Sequence, residues 1–294
     1  MLLDTQPITL DELHDPVLQQ LNIRLSVLRL DKIHPTVSGN KLFKLHYFLE
    51  EAVAKNIPIL TYGGAYSNHL VATAYACKQL NISCKAIVRG EEPTHWSHSL
   101  LACTALGMQL EFVSRTNYAE VASKDLDHPG YLNIPEGGYH PTGARGASQI
   151  LKCLPTTAFS HICTATGTAT TLAGLLVQAD PMQQVLSYGS LKGLNDISKR
   201  LQFLTGQERF DNLQLLTGYH FGGYAKKTDE LLKFMNELYA KFTLPTDFVY
   251  TAKMMFGIFD QLKKGFFAEG SNILCIHTGG LQGNLSLPAG TLDF

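Results

Sequence analysis

Lys41 stands where a lysine can do chemistry. In the segment SGNKLFKL (38–45), Gly39 and Asn40 supply a turn. Lys41 then opens a stretch with Leu42, Leu45, Phe48, Leu49 and Val53 on one helical face. A cation in the first turn of a helix faces the positive end of the dipole. That field lowers the pKa of the amine and favours its neutral, nucleophilic form. The same spacing also suits a surface lysine on a helix end, and this motif alone leaves both readings open.

Three further turns carry candidate chemistry. TATGTATTLAGLL (164–176) sets Thr164, Thr166, Thr168, Thr170 and Thr171 just ahead of an apolar helical run. Backbone N–H groups at a helix start, joined by hydroxyls, form an anion site; equally, threonines simply cap such a turn. The spacing matches neither a dinucleotide fingerprint nor a P-loop. GGAYSNHL (63–70) places Ser67, Asn68 and His69 at another strand-to-helix turn. Ser67 reads there as an N-cap, or the exposed amides clasp a carboxylate. HTGG (277–280) ends the last apolar run, with Thr278 in a tight turn.

The elements that must hold these turns alternate in type. ILTYGG (59–64), CKAIVRG (84–90), QLEFVS (109–114), FSHICTAT (159–166), QVLSYGS (184–190) and SNILCIHTGG (271–280) read as strands. Helical periodicity follows at 67–80, 98–107 and 170–179. This alternation predicts an α/β fold with parallel strands and helices on the sheet faces. Ligands bind outside the carboxyl ends of such strands, which is where the turns fall. The Gly/Pro-rich stretch IPEGGYHPTGARG (134–146) is the best internal boundary, and His140 within it reads as a loop residue.

The chain of 294 residues is 45% hydrophobic and 17% charged, with a formal net charge of -1. That balance gives no case for nucleic acid or a membrane surface as partner, so any phosphate site must be local. The six cysteines show no C-x-x-C spacing and read as free thiols of a reducing compartment. The acidic N-terminal segment is unlike a signal peptide, and no apolar run approaches the roughly 20 residues that span a bilayer. The expected location is the cytoplasm. Neither a metal-ligand motif nor a G-x-S-x-G elbow is present.

Taken in order, SGNKLFKL, GGAYSNH, IPEGG, TATGTATTLAGLL, FVYTAKMMFGI (248–258) and HTGG resemble the 1-aminocyclopropane-1-carboxylate (ACC) deaminase/D-cysteine desulfhydrase family. That family belongs to the tryptophan-synthase-β-like, fold-type-II enzymes that use pyridoxal 5'-phosphate (PLP). The resemblance runs from about Arg29 to Gly283. It implies a two-lobed open parallel-sheet fold, with residues 40–140 as the smaller α/β lobe and residues 1–39 and 141–294 as the larger, PLP-binding lobe.

By the same resemblance, Lys41 is the Schiff-base lysine and moves protons at the substrate Cα. Lys44 is a second motif lysine near the substrate. Ser67, Asn68 and His69 form the turn that binds the substrate carboxylate, with Asn68 also reaching the phenolic oxygen of the cofactor. Thr166, Gly167, Thr168, Ala169 and Thr170 form the phosphate loop. Tyr224 and Tyr250 match two active-site tyrosines, while Thr251 and Thr278 fall beside the cofactor ring. The implied partners are a small amino acid and a second copy of the chain, as a homodimer.

The chain also departs from the family pattern. Phe43 stands where arginine is frequent, and Tyr66 where glutamine is common. Thr251 and Thr278 stand where the deaminases carry glutamate and leucine, whereas D-cysteine desulfhydrases carry threonine at both. A carboxylate beside the pyridine nitrogen favours the pyridinium, a strong electron sink. ACC has no Cα hydrogen, so its ring opening leans on that sink. β-Elimination asks for less, since Lys41 can remove a Cα proton while a thiolate departs. The threonines therefore favour D-cysteine desulfhydrase-like elimination to pyruvate, ammonia and sulfide. ACC ring opening to 2-oxobutyrate stays open as an alternative, and so does a non-catalytic PLP- or amino-acid-binding protein.

Overall fold

The computed structural model describes residues 3–37, 39–124 and 128–294, with Ser123 and Lys124 described by backbone alone. Its strands are β1 (Thr9–Glu12), β2 (Arg24–Arg29), β3 (Ile59–Gly64), β4 (Cys84–Arg89), β5 (Gln109–Val113), β6 (Leu132–Ile134), β7 (His161–Thr166), β8 (Gln184–Gly189), β9 (Leu213–Leu216) and β10 (Asn272–His277). The α-helices are α1 (Pro16–Gln20), α2 (Asn40–Lys55), α3 (Asn68–Gln79), α4 (His98–Ala105), α5 (Arg115–Lys124), α6 (Pro141–Ser148), α7 (Thr170–Gln178), α8 (Ile197–Thr205), α9 (Asp229–Phe242) and α10 (Thr251–Lys263).

Two sheets result. One holds six strands in the order β1-β2-β10-β7-β8-β9, the other four in the order β5-β4-β3-β6. Every pairing is parallel except β1 with β2. The central strands β3, β7 and β10 read as near-continuous apolar runs because helices cover both faces of a parallel sheet. Leu25, Ile59, Ile162, Val185 and Ile273 are fully buried accordingly. The α/β expectation therefore holds.

Helix α2 buries Leu42, Leu45, Phe48, Leu49 and Ala52. Val53 does not join that face; it is 45% exposed, and the buried side includes Phe43 and Lys44 instead. Phe43 and Lys44 lie where α2 is crossed by α6. Its small residues let the backbones meet, and a Cβ on Gly146 would overlap the Phe43 carbonyl oxygen. Helix α6 begins inside the Gly/Pro-rich stretch, so that stretch is half helix rather than plain loop. His140 is its N-cap, with Nδ1 accepting the Thr142 N–H at 3.1 Å.

Helices α2, α3 and α7 all start on one side, at the carboxyl ends of the strands. Gly39, at φ 69°, brings α2 against the turn after β10. The Asn40 N–H donates to the Thr278 carbonyl at 3.2 Å, and a Cβ on Gly39 would overlap that same oxygen. Only glycine fits there.

Candidate active site

The three helix starts face a common cavity of about 890 Å³. Among the residues expected from the sequence, its wall includes Lys41, Lys44, Ser67, Asn68, His69 and the run Thr166–Ala169. Tyr224, Tyr250 and Thr278 line it too. Thr170 and Thr251 do not; both are fully buried behind the wall. Ser38, the first residue of the lysine motif, lies outside the described residues.

Lys41 is partly buried, and its Nζ donates to Asn40 Oδ1 at 2.9 Å. Asn40 in turn donates through Nδ2 to Thr171 Oγ1 at 2.8 Å, which ties the start of α2 to the start of α7. Burial lowers the Lys41 pKa to about 8, with the negative charge of Asp247 opposing part of the fall. Lys44 is pushed down further, by burial and by the like charge of Lys41. Its stem lies against Gly138 of the IPEGG segment.

Ser67 caps α3, accepting the Leu70 N–H at 3.3 Å, so the N-cap reading of Ser67 is correct. Capping leaves the first amides of α3 directed to the cavity, where they suit a carboxylate. Asn68 Nδ2 donates to the Gly280 carbonyl at 3.4 Å, while its Oδ1 is buried without a partner. His69 has a definable tautomer. Thr61 spends its hydroxyl proton on the Ile134 carbonyl at 2.8 Å, so toward His69 Nε2, also at 2.8 Å, it can only accept. His69 therefore carries its proton on Nε2. Burial and the charges of Lys41 and Lys44 depress its pKa to about 3, which keeps it neutral.

The loop before α7 has the features of a phosphate cradle. Ala169 is held at φ 68°, a left-handed conformation rare for a residue with a Cβ, and α7 starts without a side-chain cap. Uncapped N–H groups at such a start are anion donors. Thr168 and Thr170 pair through their hydroxyls at 3.0 Å. Thr166 Oγ1 accepts from Ser187 at 2.8 Å, so its hydroxyl fixes the loop to β8. Gly167 lies under the Tyr250 ring, which a Cβ would approach to 3.0 Å.

Two side chains missed in the sequence organise the far wall. Asp247 is buried and accepts from the N–H groups of Val249, Tyr250 and Thr251 at 2.9–3.0 Å, and from Thr251 Oγ1 at 2.7 Å. The Thr251 hydroxyl proton is therefore committed to a carboxylate. Asp247 was legible in principle, as an Asp two to four residues before a helix start. Lys253 is also buried and donates to the carbonyls of His220 at 2.9 Å and Gly223 at 2.7 Å, which holds the loop that presents Tyr224. Burial lowers Lys253 to about 8 against the pull of Asp247. Tyr224 and Tyr250 meet edge to face at 6.2 Å. Burial raises both phenols, so they are proton donors at neutral pH. Also unforeseen on the wall are Arg89, Arg115, Glu136, Arg200 and Lys227.

Residues 4–279 match the family model described as pyridoxal-phosphate dependent enzyme. The chain belongs to this family. A Pyrococcus furiosus protein provisionally named 1-aminocyclopropane-1-carboxylate deaminase is 29% identical over 282 residues, covering 88% of this chain and 85% of that protein. The mitochondrial bifunctional D-cysteine desulfhydrase/1-aminocyclopropane-1-carboxylate deaminase of Arabidopsis thaliana is 28% identical, covering 84% of this chain and 70% of that protein. A crystal structure of an ACC deaminase homologue superposes with TM-score 0.79 at 25% identity, covering 96% of this chain and 92% of that one.

The enzyme is thus PLP-dependent, and its residues fit the cofactor. An uncapped helix start suits the phosphate, a lysine of lowered pKa faces the same cavity, and a buried Asn68 oxygen awaits a partner. Among the described residues no helix is long and apolar enough to cross a membrane.

Proposed function

We propose that this enzyme catalyses β-elimination on a small β-substituted amino acid, with D-cysteine as the prototype and pyruvate, ammonia and sulfide as products. The observation that carries this reading is Thr278, a neutral wall residue that can offer no counter-charge to the cofactor ring; Thr251 lies behind the wall with its proton given to Asp247 and offers none either. When bound, PLP supplies the electron sink for charge developing at Cα.

The protein's own residues do the rest. Lys41 would carry the cofactor, and its amine would take the Cα proton; its lowered pKa makes it a competent base near neutral pH. The amides of the Ser67–His69 turn hold the substrate carboxylate and so fix the direction of the Cα–H bond. Lys44 lies beside them. The run Thr166 to Thr170 would hold the phosphate, and Asn68 the phenolic oxygen. Tyr224 and Tyr250, kept protonated, offer a proton to the departing thiolate.

A second reading, ACC ring opening, draws support from the names of the relatives and from Asp247, a carboxylate one hydrogen bond behind Thr251. Product analysis separates the two. Incubation with D-cysteine, L-cysteine and ACC should yield pyruvate and sulfide from a cysteine enantiomer faster than 2-oxobutyrate from ACC. The reverse order selects the deaminase.

A further inference from the structure

The wall of the cavity is far more cationic than the chain as a whole. Lys41, Lys44, Arg89, Arg115, Arg200 and Lys227 line it, against Glu136 as the one lining carboxylate among the described residues. A protein of net charge -1 has concentrated positive charge at one place. Several of these cations have an assigned task or partner. Arg200 pairs with Asp196 at 2.9 Å, and Lys227 lies over the Phe248 ring at 5.3 Å. Arg89 and Arg115 are different. Both are exposed to the cavity mouth, neither forms an ion pair among the described residues, and Arg89 lies over the Tyr118 ring face, at 5.4 Å. Glu136 forms no salt bridge with either among the described residues; it accepts from the Tyr118 hydroxyl at 3.0 Å.

The order of the small sheet places these charges relative to the other anion sites. At the β6 end, Gly137 packs against Thr168, and a Cβ there would meet Thr168 Cγ2 at 3.2 Å. The phosphate cradle therefore adjoins β6. Next comes β3, whose end carries the Ser67–His69 turn. Beyond it lie β4, ending at Arg89, and β5, followed by Arg115. Arg89 pairs in register with Gly64, and its guanidinium lies beside that residue, 3.5 Å from where a Cβ would sit. Neighbouring strands are about 4.8 Å apart, so the strand ends that carry the two arginines lie roughly 5 and 10 Å to the side of the carboxylate turn, and each guanidinium reaches back by about one strand, Arg89 to Gly64 beside that turn and Arg115 to Gly90. That side is opposite the phosphate cradle. The arginines are consequently placed for neither the cofactor phosphate nor, in the case of Arg115, the α-carboxylate.

We propose that the site takes β-substituted amino acids whose β-substituent carries a second negative charge, a phosphate, sulfonate or carboxylate, bound by Arg89 and Arg115. Guanidinium forks match such oxyanions and bind them at two points. The inference rests on the β-elimination reading and narrows its substrate class. With O-phosphoserine the Cα–H bond breaks and its proton passes to the Lys41 amine. The Cβ–O bond breaks with its electron pair leaving on phosphate, and water converts the released three-carbon enamine to pyruvate and ammonium.

Pyruvate release is to be compared for O-phosphoserine and β-chloroalanine, each as both enantiomers, in the wild-type holoenzyme and in Arg89→Gln/Arg115→Gln. Taking the ratio of kcat/KM values between the two substrates removes the difference in leaving group. That ratio should fall about tenfold or more in the double variant, through KM, with Arg89→Lys/Arg115→Lys restoring part of it. Binding without turnover supplies the second readout. In titrations of the cofactor's visible band, 2-amino-3-phosphonopropionate should bind more tightly than 2-aminobutyrate, and the double variant should erase the difference. An unchanged ratio with no advantage for the phosphonate overturns the proposal. Absence of pyruvate from β-chloroalanine, with the phosphonate advantage intact, instead removes the elimination reading and leaves the anion pocket standing.

Discussion

Lys41 draws its reactivity from two opposed influences, burial that lowers its pKa to about 8 and Asp247 that holds it up. The sign of the pH effect follows. Below pH 8 the amine is protonated and cannot attack, so the rate at which apoprotein captures PLP should rise with pH and level off above about 8. An ordinary lysine would not level until near 10.5. Asp247→Ala removes the opposing charge, so the midpoint should move below 8. A midpoint that rises, or stays near 10.5 in the wild type, would refute this account of the residue. Stopped-flow absorbance reads both proteins.

The elements matter because Lys41, the Ser67–His69 turn and the loop before Thr170 sit at helix starts, and the starts are tied together. Gly39 seats α2 on the Thr278 turn, and Asn40 links it to α7. Gly39→Ala forces a left-handed φ and an overlap, and should cost roughly 2–3 kcal/mol in denaturant unfolding, with loss of PLP affinity. Lys253→Met leaves the carbonyls of His220 and Gly223 without their donor. It should cost about 1–3 kcal/mol and lower kcat as Tyr224 loses its fixed place. A variant of normal stability and kcat would show that the Tyr224 loop needs no such support.

Strands β3, β4, β5, β7, β8 and β10 and three of the helix starts were legible because short apolar runs and Gly- or Thr-rich turns are local signals. Ser67 is an example, since its capping role and its place on the cavity wall coincide. Asp247, Lys253 and Arg89 were not read from the sequence. Asp247 did leave a local capping pattern, whereas what makes Lys253 and Arg89 matter is contact with residues distant in the chain, or strand order, and neither leaves a local pattern. The burial of Phe43 was missed for the same reason; α6, folded from a stretch that reads as loop, packs on that part of α2. Thr251 was assigned to the ring by resemblance, whereas its hydroxyl belongs to Asp247.

At the scale of the molecule, two largely parallel sheets turn their carboxyl ends toward one cavity, the site proposed here for PLP. Each sheet supplies part of the chemistry. The six-stranded sheet carries the phosphate cradle and Thr278, the four-stranded sheet the carboxylate turn and the arginine pair. Rising ionic strength should therefore raise KM for an anionic substrate more than for a neutral one, because exposed arginines are screened. Steady-state assays across a salt series check this. An equal rise for both substrates would deny the arginines a role in capture.

The central claim is that Lys41, among several low-pKa lysines around one cavity, carries the cofactor. Borohydride reduction of the yellow holoenzyme, followed by proteolysis and mass spectrometry, tests it directly. The pyridoxyl group should be found on Lys41 alone, and Lys41→Ala should retain the fold while losing the visible band and all turnover. Label on Lys44 or Lys253, or a Lys41→Ala protein that remains yellow and active after reduction-sensitive dialysis, would contradict the account.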